Sequence, residues 1–378
     1  MTMTINNEHN KLNVPNLRFK EFQGEWEKCK LSEICTFFSG GTPSSSNKDF
    51  YGGNIAFIRS GELHADSTEL FITQAGFDSS SAKMVEVGDL LLAMYGATSG
   101  DIAVSKIKGA INQAILCIRT KQNKKFIESV WNKHVSKNLR KYLQGGQGNL
   151  SADIVKGISF FFPTLKEQEK IANLVSLLDE RITTQNKTIE DLKKLKYAIS
   201  HILFSSKFTN HLSYIANVVM GQSPSSNAYN DQGIGMPLVQ GNLDISNGKT
   251  TPRLYTSEFN QTAEEGNIIL TVRAPVGEVA KATKNVCLGR GVCAIIPHEE
   301  NMSDFIYQYL TFYKFMWRKY EQGSTFTSIN GSDVRNILCP EVRNVSILTL
   351  LDSKISTEER VVKLYQKQKQ YLLRQMFI

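Results

Sequence analysis

The chain has 378 residues, 41% of them apolar and 21% charged, with a net charge of +8; that length suits two folded domains, and the basic excess permits a polyanionic partner without proving one. No apolar run reaches the length of a membrane-spanning helix and the opening residues lack a signal-peptide core, so a cytoplasmic location without membrane contact is expected. The six cysteines (Cys29, Cys35, Cys117, Cys287, Cys293, Cys339) form no Cys-x-x-Cys pair, which argues against a zinc site or a disulfide framework.

In chain order, LSEI at Leu31–Ile34 leads into the loop GGTPSSS at Gly40–Ser46, and both return later. LSYI stands at Leu212–Ile215 and GQSPSSN at Gly221–Asn227, with Gly40 falling on Gly221 and Pro43 on Pro224. VGDLLLAMYGATSGDIA at Val87–Ala103 matches EGNIILTVRAPVGEVA at Glu265–Ala280, and RKYLQG at Arg140–Gly145 matches RKYEQG at Arg318–Gly323. A self-match in constant order predicts a duplicated architecture. Within each half, short apolar runs such as NIAFIRSG (Asn54–Gly61) and GMPLVQGN (Gly235–Asn242) read as strands joined by tight turns. A basic aromatic segment follows, Ser129–Gly146 or Phe305–Gly323, which reads as a helix ended by glycine. Two short strands then lead to Pro163 or Pro340.

From Leu165 to Phe204 there is no Pro or Gly, and apolar residues recur with a heptad period. One seam position holds Ile171, Leu178, Gln185, Leu192 and Ile199; the other holds Val175, Ile182, Ile189, Lys196 and Leu203. LLDERI at Leu177–Ile182 returns as LLDSKI at Leu350–Ile355, and the second copy of the seam reads Leu351, Glu358, Tyr365 and Leu372 against Leu348, Ile355, Val362, Lys369 and Met376. Gln185 falls on Glu358 and Lys196 on Lys369. Matching polar interruptions predict two helices that lie against each other, antiparallel and in fixed register. The expected fold is therefore α/β (α+β), with two similar heads and two long helices in an intramolecular, pseudo-twofold antiparallel coiled coil. Its boundaries are an N-terminal segment and first head over 1–163, a central helix over 164–206, a second head over 207–340 and a C-terminal helix over 341–378.

Motifs for catalysis are missing. There is no Gly-x-x-x-x-Gly-Lys-Ser/Thr loop to wrap phosphates, no Pro-Pro pair as an amino-methyltransferase motif would need, and no Glu-x-Lys. The two Asp-x-Lys triplets, Asp191–Lys193 and Asp352–Lys354, fall on the heptad helices, and the six histidines lack metal-ligand spacing. Binding residues remain. Lys137, Arg140, Lys141 and Tyr142, and in the second half Arg318, Lys319 and Tyr320, stand at a helix end with Lys133 and Lys314 upstream. They suit phosphate contacts, and they equally suit the negative end of a helix dipole. The following polar loops contain Gln147 and Asn149, or Thr325, Thr327 and Asn330; base-edge reading and an ordinary turn are both open there. GGTPSSS and its copy have a structural or a DNA-facing role.

The set of motifs resembles the specificity subunit of a type I restriction-modification system. The residues that carry the likeness are PNLRFKEFQGEWEKCKLSEI (Pro15–Ile34), PTLKEQEKIANLVSLLDERI (Pro163–Ile182), GQSPSSN, TVRAPVG (Thr271–Gly277), LGRG (Leu288–Gly291) and LLRQMFI (Leu372–Ile378). The resemblance implies that each head is a target recognition domain reading one half of a bipartite double-stranded DNA site. It implies that the helices set the spacer and dock two methyltransferase subunits, with restriction/translocase subunits joining in the full complex. S-adenosylmethionine, ATP and Mg are then expected on those partners and no cofactor on this chain, which is expected to be non-catalytic. Two other classes are a DNA methyltransferase or nuclease fusion, which would need the missing motifs, and a coiled-coil scaffold that does not bind DNA, which salt-insensitive binding would reveal. Where the halves depart, Arg273 faces Tyr95 and GRG around Arg290 faces NQA at Asn112–Ala114, so the heads are expected to read different half-sites. The second half begins abruptly after Phe204 without a full counterpart of Leu17–Trp26, which leaves open whether that segment joins the first head or closes against the C-terminal helix.

Overall fold

A computed structural model of the chain describes residues 3–5, 13–142, 150–205, 208–314, 316–317 and 328–378, with side chains described except at 3–5, 136–142 and 209. The chain divides into two compact units, residues 1–184 with 361–378, and residues 185–360. Four helices organise them: α1 (Lys124–Tyr142), α2 (Leu165–Phe204), α3 (Ser303–Tyr313) and α4 (Ser346–Met376).

In the first unit, Cys35–Ser39, Ile115–Thr120, Leu90–Ala93 and Ile102–Val104 form an antiparallel sheet in that order. Leu90–Ala93 is buried along its whole length, as a continuous apolar run between covered faces requires. A second sheet runs Phe71–Ile72, Tyr51–Ile58, Gly109–Ile111, Lys83–Val85, with Tyr51–Ile58 and Gly109–Ile111 parallel. Ile58, Val85, Leu91, Ile111 and Cys117 close the space between the two. Glu27–Lys30 pairs with Ser159–Phe162 beside them.

The second unit repeats this plan. Ala216–Met220, Val292–Pro297, Ile268–Thr271 and Val279–Lys281 follow in the same order, extended by Lys249–Thr250 and Ile245–Ser246. Its other sheet has the same parallel pair, Met236–Val239 with Val286–Leu288, and Phe208–His211 pairs with Leu338–Pro340. Phe204 at the end of α2 packs on Phe305 and Tyr309 of α3, with ring centroids 5.9 and 5.4 Å away.

The long helices share an apolar seam inside each unit. On α2, Ile171, Val175, Leu178 and Ile189 are buried and Ile182, Gln185, Leu192 and Ile199 half-buried. On α4, Leu348, Leu351, Ile355, Glu358, Val362 and Leu372 are buried and Tyr365 is half-buried. Partners run in opposite directions. In the first unit Asp179 meets Lys369 at 2.5 Å while Arg181 lies over the Tyr365 ring. In the second, Gln185 donates to Glu358 and Lys196 meets Asp352 at 2.6 Å. The helices are antiparallel; the seam residues Gln185 and Glu358 pair with each other, and the seam lysines pair with aspartates on the facing helix. Each aspartate also bonds its own head, Asp179 accepting from Lys125 of α1 at 2.9 Å and Asp352 from Gln308 of α3 at 2.7 Å.

The Leu17–Trp26 segment belongs to the first unit and touches both candidates left open by the sequence. The Trp26 ring lies 5.8 Å from Phe126 of α1 and 6.4 Å from Phe377 beyond α4. Arg18, 6% exposed, forms a two-pronged pair with Glu167, 1% exposed, each bond 2.8 Å; it also donates to the carbonyls of Gly24 and Gln23. Gln168 donates to the Pro163 carbonyl at 2.9 Å and accepts from the Asn123 N–H at 3.1 Å. This explains KEQEK: two polar residues in the first turn of α2 fasten the N-terminal segment and the approach to α1. The second half passes from Pro340 to Ser346 with no equivalent of either.

Replacing Arg18 alone (Arg18→Met) leaves a buried carboxylate unpaired and is expected to cost about 3–5 kcal/mol, with most of it recovered in Arg18→Met/Glu167→Met; urea unfolding of the single and double variants measures this. Asp179 has a second signature. Burial pushes its carboxyl pKa up, but hydrogen bonds from Lys369 and Lys125 more than offset this and hold it below the ordinary carboxylate value. A depressed folded pKa stabilises above the unfolded pKa and that contribution is lost as pH falls through the folded value. Asp179→Asn is therefore expected to flatten the acid limb of the stability–pH curve while lowering stability at neutral pH.

Candidate nucleic-acid interface

Three loops meet at one place in each unit, and two of the backbone bonds that hold them are the same in both. In the first unit the Met94 N–H donates to the Ala114 carbonyl at 2.8 Å, and the Met94 carbonyl accepts from the Leu150 N–H at 2.8 Å. In the second, the Val272 N–H donates to the Gly291 carbonyl and the Ile329 N–H to the Val272 carbonyl, both 2.9 Å. The third loop is GGTPSSS or its copy. Gly40 donates to the Asn112 carbonyl at 3.3 Å, and Gly221 and Gln222 donate to Val292 and Leu288 at 3.0 and 2.9 Å. A Cβ at Gly40 would stand 1.7 Å from the Ile111 carbonyl oxygen, and one at Gly221 2.2 Å from that of Gly289. Only glycine allows so close an approach of two backbones.

Both copies of the loop are pinned alike further on. Tyr51 donates its hydroxyl to the Pro43 carbonyl at 2.7 Å, and Tyr229 to the Pro224 carbonyl at 3.2 Å. Pro43 and Pro224 are buried while the serines after them are exposed. The glycine and proline positions therefore build the loop, and its outward face is left to the residues that differ. Thr42 donates to Gln113 Oε1 at 2.6 Å, whereas the corresponding hydroxyl, Ser223 Oγ, accepts from the Arg290 N–H at 3.1 Å.

On this frame the exposed side chains diverge. Tyr95 and Gln113 project in the first unit, Arg273 and Arg290 in the second. The Val272–Gly291 bond brings the two arginine-bearing loops together, and Arg273 bridges to Ser328 through its backbone. Just past the Tyr95 loop, His64 bonds Asp101 at 2.9 Å, and this hydrogen bond raises its pKa against the opposing effect of burial. Sequence reasoning names Arg273 and Arg290 but passes over Gln113; the pairing of GRG with NQA is the signal that identifies it.

The other candidates are placed differently. Lys137, Arg140, Lys141 and Tyr142 lie on α1 with side chains outside the described residues. Gln147, Asn149, Arg318, Lys319, Tyr320, Thr325 and Thr327 lie outside the described residues altogether. Asn330 takes up a structural duty where base contact is one sequence reading. It caps the helix Gly331–Arg335, its side-chain oxygen accepting from the N–H groups of Ser332 and Asp333, while Asp333 accepts from its own N–H. Ser151 caps Ala152–Gly157 at the same point of the first unit. The upstream cations are also engaged: Lys133 donates to the Phe377 carbonyl and Lys314 to Glu278, each at 2.5 Å. Burial lowers the Lys133 pKa.

Burial pushes the Cys117, Cys293 and Cys339 thiols up to about 12, so they stay protonated at neutral pH. Among the described residues no group of His, Cys, Asp and Glu is arranged to hold a metal ion, and no helix is long and apolar enough to cross a membrane.

The type I restriction modification DNA specificity domain matches this chain twice, over residues 23–194 and 209–361. The "Putative type I restriction enzyme MjaX specificity subunit" of Methanocaldococcus jannaschii is 28% identical over 362 residues, covering 85% of this chain and 84% of that protein. The EcoR124I/EcoR124II specificity subunit of Escherichia coli is 29% identical over 189 residues, 47% of this chain and 46% of its own length. Among solved structures, the type I restriction-modification S subunit from M. genitalium superposes with a TM-score of 0.67 at 18% identity, covering 97% of this chain and 99% of that one.

Asn330→Ala is expected to cost about 1 kcal/mol of stability through loss of the cap, with the DNA sequence recognised left unchanged. Thermal unfolding and a sequence-selection assay on the same variant check both halves of that statement.

Proposed function

This chain belongs to the type I restriction-modification DNA specificity family and is a DNA sequence-recognition subunit, and on that premise we propose how it acts. Each unit reads one half of a bipartite double-stranded target with its three-loop cluster. The paired helices set the spacer between half-sites and dock two methyltransferase subunits, with restriction/translocase subunits added in the full complex. The chain itself performs no catalysis; S-adenosylmethionine, ATP and Mg act on the partner subunits, in the cytoplasm. The division of the chain at 1–163, 164–206, 207–340 and 341–378 describes these roles: head, helix, head, helix.

The observation that carries this reading is the loop cluster itself, built twice with two corresponding backbone bonds and with different exposed side chains. A duplicated enzyme site would repeat its reactive groups. A duplicated reader of two different sequences repeats its frame and varies what projects from it, because base edges are told apart by donor and acceptor pattern. Cationic and polar side chains on the remaining surface supply contacts to phosphate, which position a duplex without reading it.

The test is an exchange of one head. Replacing residues 31–163 with the matching part of another specificity subunit, in the assembled methyltransferase complex, is expected to change one half-site and leave the other intact when methylated positions are mapped across a genome. A change in both half-sites, or in neither, contradicts the assignment of one half-site to each unit.

A further inference from the structure

Gln113 and Arg290 occupy the same position in the two units, each the exposed middle residue of a three-residue turn between equivalent strands, Gly109–Ile111 and Ile115–Thr120 or Val286–Leu288 and Val292–Pro297. We infer that this pair is a base-reading position that makes the two half-sites differ, with Arg290 reading a guanine in one and Gln113 an adenine in the other. The inference rests on the assignment of DNA reading to the loop clusters.

The turns leave one side chain each for a ligand. In the second unit Gly289 and Gly291 are buried against Gln240, and a Cβ at Gly291 would lie 2.1 Å from the Gln240 carbonyl oxygen. Neither flank can carry a side chain outward, and only Arg290 projects. In the first unit Asn112 folds back so that its side-chain oxygen accepts from the Ala114 N–H at 3.0 Å, which again leaves the middle residue, Gln113.

The backbone beneath both is fixed before any ligand arrives. Gly289 donates to the Val239 carbonyl at 2.8 Å, Arg290 to Ser223 at 3.1 Å, and Gly291 accepts from Val272 at 2.9 Å. A rigid base of this kind limits the ordering cost of contact. Arg119 and Arg253 are bound to Asp89 and Asp244, but the Arg290 side chain meets no carboxylate among the described residues. Its fork of donors matches the O6 and N7 acceptors of guanine. Gln113 has the complementary pattern for adenine, an acceptor for the N6 amino group and a donor for N7. The hydroxyl of Thr42 donates to Oε1 at 2.6 Å, which holds the amide while leaving a second lone pair on Oε1 for a further donor.

The experiment uses the full chain assembled with its methyltransferase subunits and a pool of duplexes randomised over both half-sites, sequenced for methylated molecules. Arg290→Gln is expected to reduce methylation of the original site on the order of tenfold to a hundredfold and to raise it on duplexes carrying A·T for G·C at one position of the second half-site. Gln113→Arg is expected to do the reverse in the first half-site. Arg290→Lys, which keeps the charge but not the fork, should retain DNA affinity and lose discrimination at that position alone. An Arg290→Ala complex that keeps the original preference overturns the inference. So does an equal loss on every sequence with a shallower salt dependence, which would mark a phosphate contact. A wild-type complex that methylates no preferred sequence would instead refute DNA reading by the heads, a failure separate from these.

Discussion

Everything in this chain is organised around a heptad seam that is polar where an apolar residue would pack better. Gln185 and Glu358 are equivalent in the two copies of the helix, and they bond to each other. Lys196 and Lys369 are equivalent, and each reaches the aspartate that corresponds to the other's partner, Asp352 and Asp179. An all-apolar seam could slip by a heptad and still bury its side chains. A slip here would leave lysines and carboxylates in a half-buried seam without partners, and that cost selects one alignment. The same aspartates are bonded to head helices through Lys125 and Gln308, so the alignment of the rods and the seating of each head on them are one constraint.

The heads show what duplication preserves. Strand order, the parallel pair inside an otherwise antiparallel sheet, the tyrosine on the proline carbonyl and two of the backbone bonds between loops recur in both units. What varies is the tip of each loop. Interior backbone bonds are costly to lose, because a buried N–H or carbonyl without a partner is penalised in full, whereas a side chain facing water changes at little cost. The frame is therefore conservative and its projections are free to diverge.

Much of this was legible in the sequence, for physical reasons that can be named. The heptad period identified residues on both long helices that are now buried, since a seam repeats its demand every two turns. The doubled motifs gave the order of elements, because each copy must fold to the same sheet. Contacts between distant segments were not legible. Nothing in RFKEFQGEW announces that Arg18 faces Glu167, and nothing in the cationic pattern near α1 and α3 shows that Lys133 bonds the Phe377 carbonyl or that Lys314 pairs with Glu278. Charge patterns record what a residue can do, not which neighbour is nearest. Asn330 illustrates the same limit locally: an amide in a polar loop reads as a contact residue until the two N–H groups it caps are seen.

The two units also differ in how they are written along the chain. Residues 185–360 form one uninterrupted stretch, whereas the first unit needs residues 361–378 to supply Leu372, Met376 and Phe377 to its core. During synthesis, which runs from the N-terminus and lets domains fold as they emerge, the second unit has all of its residues first. The first has its sheets early but lacks the far side of its aromatic cluster, with Phe126 and Trp26 waiting for a ring made only after the second unit is complete. The order of completion is thus the reverse of the order of translation, and a chain stalled before Phe377 would carry one finished head and one with an open apolar face.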